Sequence, residues 1–187
     1  VMRTHLERPW DDGWVVTRVV VVADTHVPKR AKVLPREVLD AIERADVVVH
    51  AGDWVDVETL DLLEGLSTKL VGVWGNNDGP ELRERLPEVA HEVIDGVRMA
   101  VIHETGAAAG RERRMDALFR PDPAGASAAQ LLVFGHSHIP WDTITPNGLR
   151  LLNPGSPTDR RRQPFRTYLT VVADAGTLRD VTLHELS

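Results

Sequence analysis

Arg18-Val19-Val20-Val21-Val22-Ala23 is a β-branched run with no polar interruption, and it ends abruptly at Asp24-Thr25-His26. A strand of this composition is buried on both faces, the habit of parallel sheets covered by helices. It delivers the polar residues that follow to the carboxyl edge of the sheet, where α/β folds form their crevices. The pattern recurs twice: Asp46-Val-Val-Val-His50 leads into Ala51-Gly52-Asp53, and Lys69 to Trp74 leads into Gly75-Asn76-Asn77-Asp78. Between these strands, Pro35 to Arg44 places Val38, Leu39 and Ile42 on one helical face behind a proline suited to the first helical position. Val57 to Leu66 has the apolar spacing of a second helix. Strand, helix, strand, helix, strand implies a parallel sheet with right-handed crossovers.

The second half reads differently. Glu88 to Ile94 and Val97 to Ile102 flank Asp95-Gly96, a dipeptide favoured in hairpin turns. A helix is expected within Arg111 to Phe119, then a Pro, Gly and Ala-rich connection over Pro121 to Ala129. Leu131 to Phe134 forms a strand ending at Gly135-His136-Ser137-His138. Trp141 to Thr145 and Leu149 to Leu152 surround Asn147-Gly148, and Thr167 to Asp174 and Leu178 to His184 surround Ala175-Gly176. The expected architecture is α/β: a two-sheet α/β sandwich, parallel first and antiparallel later, with mixed sheets flanked by helices. Residues 1–16 are expected to be an N-terminal extension and residues 17–187 a single domain.

Composition narrows the chemistry. With 187 residues, 42% hydrophobic and 27% charged, the chain is of ordinary globular composition, and its net charge of −6 argues against a surface built for polymeric nucleic acid. Zero cysteines exclude disulfides, thiolate ligands and a cysteine nucleophile, so a metal would be held by His, Asp, Glu or Asn. The longest apolar run is far short of the roughly 20 residues that span a bilayer. The N-terminal segment lacks the apolar centre of a secretory signal, so a cytoplasmic location with no membrane partner is expected.

Five polar clusters follow directly on apolar strands: Asp24-x-His26, Gly52-Asp53, Gly75-Asn76-Asn77-Asp78, His103 and Gly135-His136-x-His138. A strand end aims a short side chain with a fixed backbone, which a metal site needs. Carboxylate, imidazole and amide oxygen together suit Mn, Fe, Zn, Co or Ni better than Ca or Mg. Each cluster has a bland reading. Gly-Asp and Gly-Asn are often only turns, and His103 alone reads as a hydrogen-bonded strand end. Gly-His-x-His is the strongest single element, because two imidazoles on one side of an extended segment form a natural chelate.

Together, in this order and over about Val19 to Ser156, the five clusters resemble the signature of calcineurin-like metallophosphoesterases. Asn153-Pro154-Gly155-Ser156 is similar to the small bacterial and archaeal phosphodiesterase branch, which lacks a cap domain. The resemblance implies that Asp24, His26 and His138 hold one metal, that Asn76, His103 and His136 hold the other, and that Asp53 bridges both. Two cations about 3.5–4 Å apart need such an anion between them. It further implies two divalent transition ions, manganese first and Fe, Zn, Ni or Co next, and a small phosphorylated substrate. A phosphodiester or phosphomonoester would be hydrolysed by attack of metal-bound hydroxide on phosphorus, with Asn77 and Asp78 as catalytic residues.

The chain departs from that pattern at two places. Many relatives carry His where this chain has Asn77, and Asn cannot transfer a proton at neutral pH, though its amide can donate to a phosphoryl oxygen. His103 is followed by Glu104-Thr105-Gly106 rather than by Gly or another His. Glu104, Asp56 and His50 are candidates to orient the ligands, Arg160-Arg161-Arg162 to attract an anion, and Trp54 and Trp141 to pack beside the pocket. The rival classes are a protein-binding scaffold, since the retromer scaffold subunit resembles this fold, and a nuclease. Exposed sheet edges are compatible with a dimer or tetramer.

Overall fold

The computed structural model describes residues 16–119 and 129–186. The expected N-terminal extension, but for its last residue, and nearly all of the Pro121 to Ala129 connection lie outside the described residues.

The elements run β1 (Thr17–Val22), α1 (Arg36–Arg44), β2 (Val47–His50), α2 (Val57–Leu66), β3 (Leu70–Gly72), α3 (Pro80–Arg85), β4 (Val89–Ile94) and β5 (Val97–Ile102). They continue with α4 (Arg111–Leu118), β6 (Leu131–Val133), β7 (Trp141–Ile144), β8 (Arg150–Asn153), β9 (Arg166–Asp174) and β10 (Thr177–Leu186). The first sheet has the order β10-β9-β1-β2-β3 and the second β4-β5-β6-β8-β7. The pairs β1/β2 and β2/β3 are parallel, as their crossover helices require.

The division into a parallel first half and an antiparallel second half does not hold. β9 returns to pair antiparallel with β1, while β5/β6 and β6/β8 are parallel. Hairpin dipeptides such as Asp95-Gly96 report only the local partner, and each of those hairpins formed; which distant strand lies on the other side leaves no short-range mark. Helix α3 was also not anticipated, because six residues show too little periodicity; Pro80 opens it. Pro35 caps α1 from outside rather than starting it.

Alternation along the strands sorts the core into layers. Val19, Val21, Val47 and Val49 meet Val97, Met99, Val101 and Val133 between the two sheets. The opposite side of the first sheet, with Val20, Val22 and Val48, is covered by Val38 and Ile42 of α1 and Leu60 and Leu63 of α2. The outer side of the second sheet packs on Met115 of α4. Strands β1, β2, β3, β5 and β6 thereby open their carboxyl ends toward one crevice. No helix among the described residues is long and apolar enough to cross a membrane.

Candidate metal centre

Every one of the seven donors predicted from sequence reaches that crevice. His26 Nε2 lies 3.1 Å from His138 Nε2, and His138 Nε2 lies 3.5 Å from Asp24 Oδ1. On the other side Asn76 Oδ1 is 3.0 Å from His103 Nε2 and 2.8 Å from His136 Nδ1. Asp53 sits between them, with Oδ2 3.5 Å from His26 Nε2 and Oδ1 3.4 Å from His103 Nε2. One carboxylate thus turns an oxygen to each half. Asp24, His26 and His138 offer three mutually close ligand atoms, and so do Asp24, Asp53 and His103, which places Asp24 in contact with both groups.

The backbone is bent to achieve this. Asp24, His26, Asp53, His136 and His138 have φ values of 54°, 45°, 61°, 68° and 58°, a left-handed region that L residues with a Cβ adopt at a cost. The glycines before the ligands serve close approach. A Cβ on Gly75 would fall 2.3 Å from Asp53 Oδ1, and one on Gly135 would fall 2.8 Å from the Ala51 carbonyl.

Hydrogen bonds fix the imidazoles. His138 Nδ1 faces the Asp159 carbonyl at 2.6 Å and His103 Nδ1 faces that of Ala51 at 2.7 Å, so each ring donates from Nδ1 and turns the Nε2 lone pair inward. Those lone pairs meet acceptor oxygens, an arrangement that only a cation or a proton can reconcile. Among the described residues, buried Asp24 Oδ2 has no hydrogen-bond partner. The donor set therefore fits divalent metal ions of mixed nitrogen and oxygen preference.

Protonation tells the same story from the metal-free side. Burial pushes Asp24 up to about 8, against the pull of His103. Burial lowers His26, and lowers His138 to about 4, leaving both neutral and ready to coordinate. For Asp53 burial acts upward, but the His103 and Asn77 donors outweigh it and hold the carboxyl well below the usual range. Burial acts downward on His103, and the neighbouring Asp53 and Asp24 reverse it, raising its pKa. A proton on His103 stands where a cation would.

Other residues singled out from sequence divide cleanly. Asp78 is not in the crevice. Its carboxylate, almost fully buried, accepts from the backbone N–H groups of Asp53 (3.1 Å), Val55 (2.8 Å) and Gly75 (2.7 Å), so it braces the loops that carry Asp53 and Asn76. Asn77 is exposed at the crevice and donates to Asp53 from its backbone at 2.8 Å and its amide at 2.6 Å. His50 stacks on Trp54, accepts from Gly52 N–H and meets Thr25 Oγ1 at 3.0 Å, a support behind the ligands. Asp56 caps α2, and Trp54 is wholly buried. Glu104 Oε1 is 3.9 Å from His136 Nε2. Arg161 reaches the His136 carbonyl at 3.3 Å.

Sequence reasoning missed three supports. The Asn153 amide donates to the Gly135 carbonyl, and Ser156 Oγ donates to the Asp24 carbonyl while receiving Asp159 N–H. The Asn-Pro-Gly-Ser segment therefore ties the Asp24, Gly135 and Asp159 loops together. Arg83 donates to the carbonyls of Asp78 and Gly75 and lies over the Trp74 ring. The Asn153-Pro154-Gly155-Ser156 motif stands out in sequence but names no partner, and an isolated Arg carries no local sign of such a task.

Two mixed sheets that converge on a cluster of Asp, Asn and His donors, part buried and part open, define the architecture of the α/β-sandwich metallophosphoesterases. The family model of the calcineurin-like phosphoesterase superfamily domain matches residues 17–176, and the chain belongs to that superfamily. It is 35% identical over 139 residues to a probable metallophosphoesterase of Methanocaldococcus jannaschii, covering 74% of this chain and 67% of that protein. A Thermotoga maritima protein solved by NMR superposes with a TM-score of 0.70 at 35% identity, over 91% of this chain and 99% of that one. The vacuolar protein sorting protein of Entamoeba histolytica, solved with zinc, shares the fold at 22% identity with a TM-score of 0.69, over 90% and 98% of the two chains.

Proposed function

We propose that the protein uses two divalent transition metal ions, manganese first among them, to hydrolyse a small phosphate ester, with phosphodiesters preferred. The observation that carries this reading is Asp53, which presents one carboxylate oxygen to His26 and the other to His103 within a complete set of seven donors. A fold shared with a sorting protein does not separate catalysis from assembly. A module that serves assembly alone has no use for five ligand residues held at positive φ, a strain that functional sites retain.

In this reading Asp24, His26 and His138 hold one ion, and Asn76, His103 and His136 the other. When bound, the pair supplies Lewis acidity toward the phosphoryl oxygens and an activated water near neutral pH. Asp159 and Ala51 hold the His138 and His103 rings in the coordinating tautomer. Asn77 offers its amide to a phosphoryl oxygen, and Arg161 adds positive charge at the rim for an anionic substrate. Asn77, at the crevice, cannot give a proton to the departing oxygen, which favours esters with stable leaving groups. We place the reaction in the cytoplasm, on a small phosphorylated substrate rather than a polymer.

The test is metal analysis of purified protein together with turnover of bis(p-nitrophenyl) phosphate, with and without a chelator. Two bound ions and chelator-sensitive, manganese-restored turnover are expected. Bound metal with no turnover of any mono- or diester would instead favour the scaffold, and preferential cleavage of oligonucleotides the nuclease.

A further inference from the structure

A cavity of about 580 Å³ opens beside the Asn76 and His103 donors, which line it. Its remaining wall includes Trp74, Val89, Ile102, Leu118 and Phe119. Leu118 at the end of α4 and Val89 at the start of β4 keep 70% and 40% of their surface in solvent. Two exposed apolar side chains beside the half-buried rings of Trp74 and Phe119 around one hollow mark a ligand surface rather than a packing seam. Trp74 is held firm, because Arg83 lies 3.9 Å from its ring centroid and is itself committed to the Gly75 and Asp78 carbonyls. The cavity's two carboxylates, Glu88 and Glu104, are matched by no Lys or Arg among its described lining residues, whose only bases are the imidazoles of His91 and His103.

We propose that this cavity receives the organic arm of the substrate, and that the arm is apolar or aromatic and carries no negative charge. The inference rests on the phosphoesterase reading and deepens it. The phosphoryl group belongs at the Asp53 centre, and an arm leaving it past Asn76 and His103 enters the hollow directly. Burying an aromatic ring against Trp74 and Phe119 favours binding. An additional phosphate or carboxylate on that arm would meet Glu88 and Glu104 and be repelled. The chemistry selects esters of neutral aryl, alkyl or nucleoside alcohols over those carrying further anionic groups.

The experiment is calorimetric binding to manganese-loaded protein of three unreactive anions with one common head: methylphosphonate, phenylphosphonate and 4-carboxyphenylphosphonate. Phenylphosphonate is expected to bind about tenfold tighter than methylphosphonate, and the carboxylated ligand to lose most of that gain. In the double variant Val89→Ser, Leu118→Ser, whose positions are exposed and whose substitutions add no charge, the phenyl advantage should fall to near parity with methylphosphonate. Equal affinity of methyl and phenyl heads in the wild type, or a phenyl advantage that survives the double variant, overturns the arm assignment alone. Binding of no phosphonate at all overturns the metal reading and this inference with it.

Discussion

His138 is 1% exposed and backed by the Asp159 carbonyl, whereas His136, two residues earlier on the same strand end, keeps 43% of its side chain in solvent. The contrast extends to both halves of the donor cluster. Asp24, His26 and His138 are all buried, and the Asp24 carbonyl is further tied down by Ser156. Across Asp53, Asn76 is exposed, His136 half-exposed, and Asn76 and His103 open onto the apolar cavity. One half is a closed cage and the other, though His103 is buried, opens at Asn76 and His136; under the proposed two-metal reading the first would retain its ion and the second would meet substrate. Burial makes the difference, since a buried ligand gains no water in place of a departing ion and an exposed one does.

The largest test removes the element that makes the halves one site. Asp53→Ala takes the oxygens from both His26 and His103. Metal content is expected to collapse in both halves, with kcat/KM down by roughly a thousandfold or more. Retention of one full equivalent, measured by elemental analysis, would show the halves to be independent and the bridge unnecessary.

A smaller effect sharpens the comparison directly. On addition of excess chelator the open ion should leave first, with the caged ion slower by about 10- to 100-fold. Activity should disappear with the fast phase. In Asn76→Ala only the slow phase should remain, while a single phase in the wild type would mean that burial does not distinguish the two positions.

The closed half also predicts a pH signature in the metal-free protein. Asp24 is raised from 3.8 to about 8, so its contribution to stability is full below 3.8 and is lost as pH climbs toward 8. His103, also raised, acts in the same direction. His138, lowered to about 4, acts the opposite way: its contribution is full above 6.5 and is lost as pH falls toward 4. Between pH 6.5 and 8 the raised groups act alone. Tm of the chelator-treated protein should fall over that window by on the order of 5 °C. Asp24→Asn should remove most of the slope, and saturating metal should flatten it, because coordination needs the ionised carboxylate. A flat profile for the metal-free wild type would mean that Asp24 is not caged.

How far the sequence foretold this follows from the range of each signal. Asp24, His26, Asp53, Asn76, His103, His136 and His138 were legible as crevice residues because each stands within a few positions of an apolar strand end, a short-range pattern that survives whatever the sheet order. The hairpins at Asp95-Gly96 and Ala175-Gly176 were legible for the same reason. The placement of β9 against β1 and the parallel pairing of β6 with β8 were not, since no local residue choice encodes a neighbour more than a dozen positions away. The closed and open characters of the two halves were equally hidden. His136 and His138 read alike in sequence, and only the Asp159 and Ser156 loop, which folds back over one of them, sets them apart.

Asn77 lies where the two halves meet, and the smallest effect expected is also the one that most finely separates positioning from proton transfer. Its backbone N–H and its amide grip opposite oxygens of Asp53 at 2.8 and 2.6 Å. Asn77→Ala keeps the first contact, so turnover of an activated p-nitrophenyl diester should drop only about threefold, because one of the two donors to the ionised Asp53 carboxylate remains. Asn77→His restores a group that can transfer a proton. Properly placed general acids contribute roughly 10²–10⁴-fold, yet the loop here is shaped to an amide, so a gain of about tenfold is expected. The gain should appear only with alkyl leaving groups, which need protonation, and not with p-nitrophenolate, which does not. Equal gains on both would show that the imidazole acts through charge alone, and an unchanged Asn77→Ala would reduce the residue to a turn.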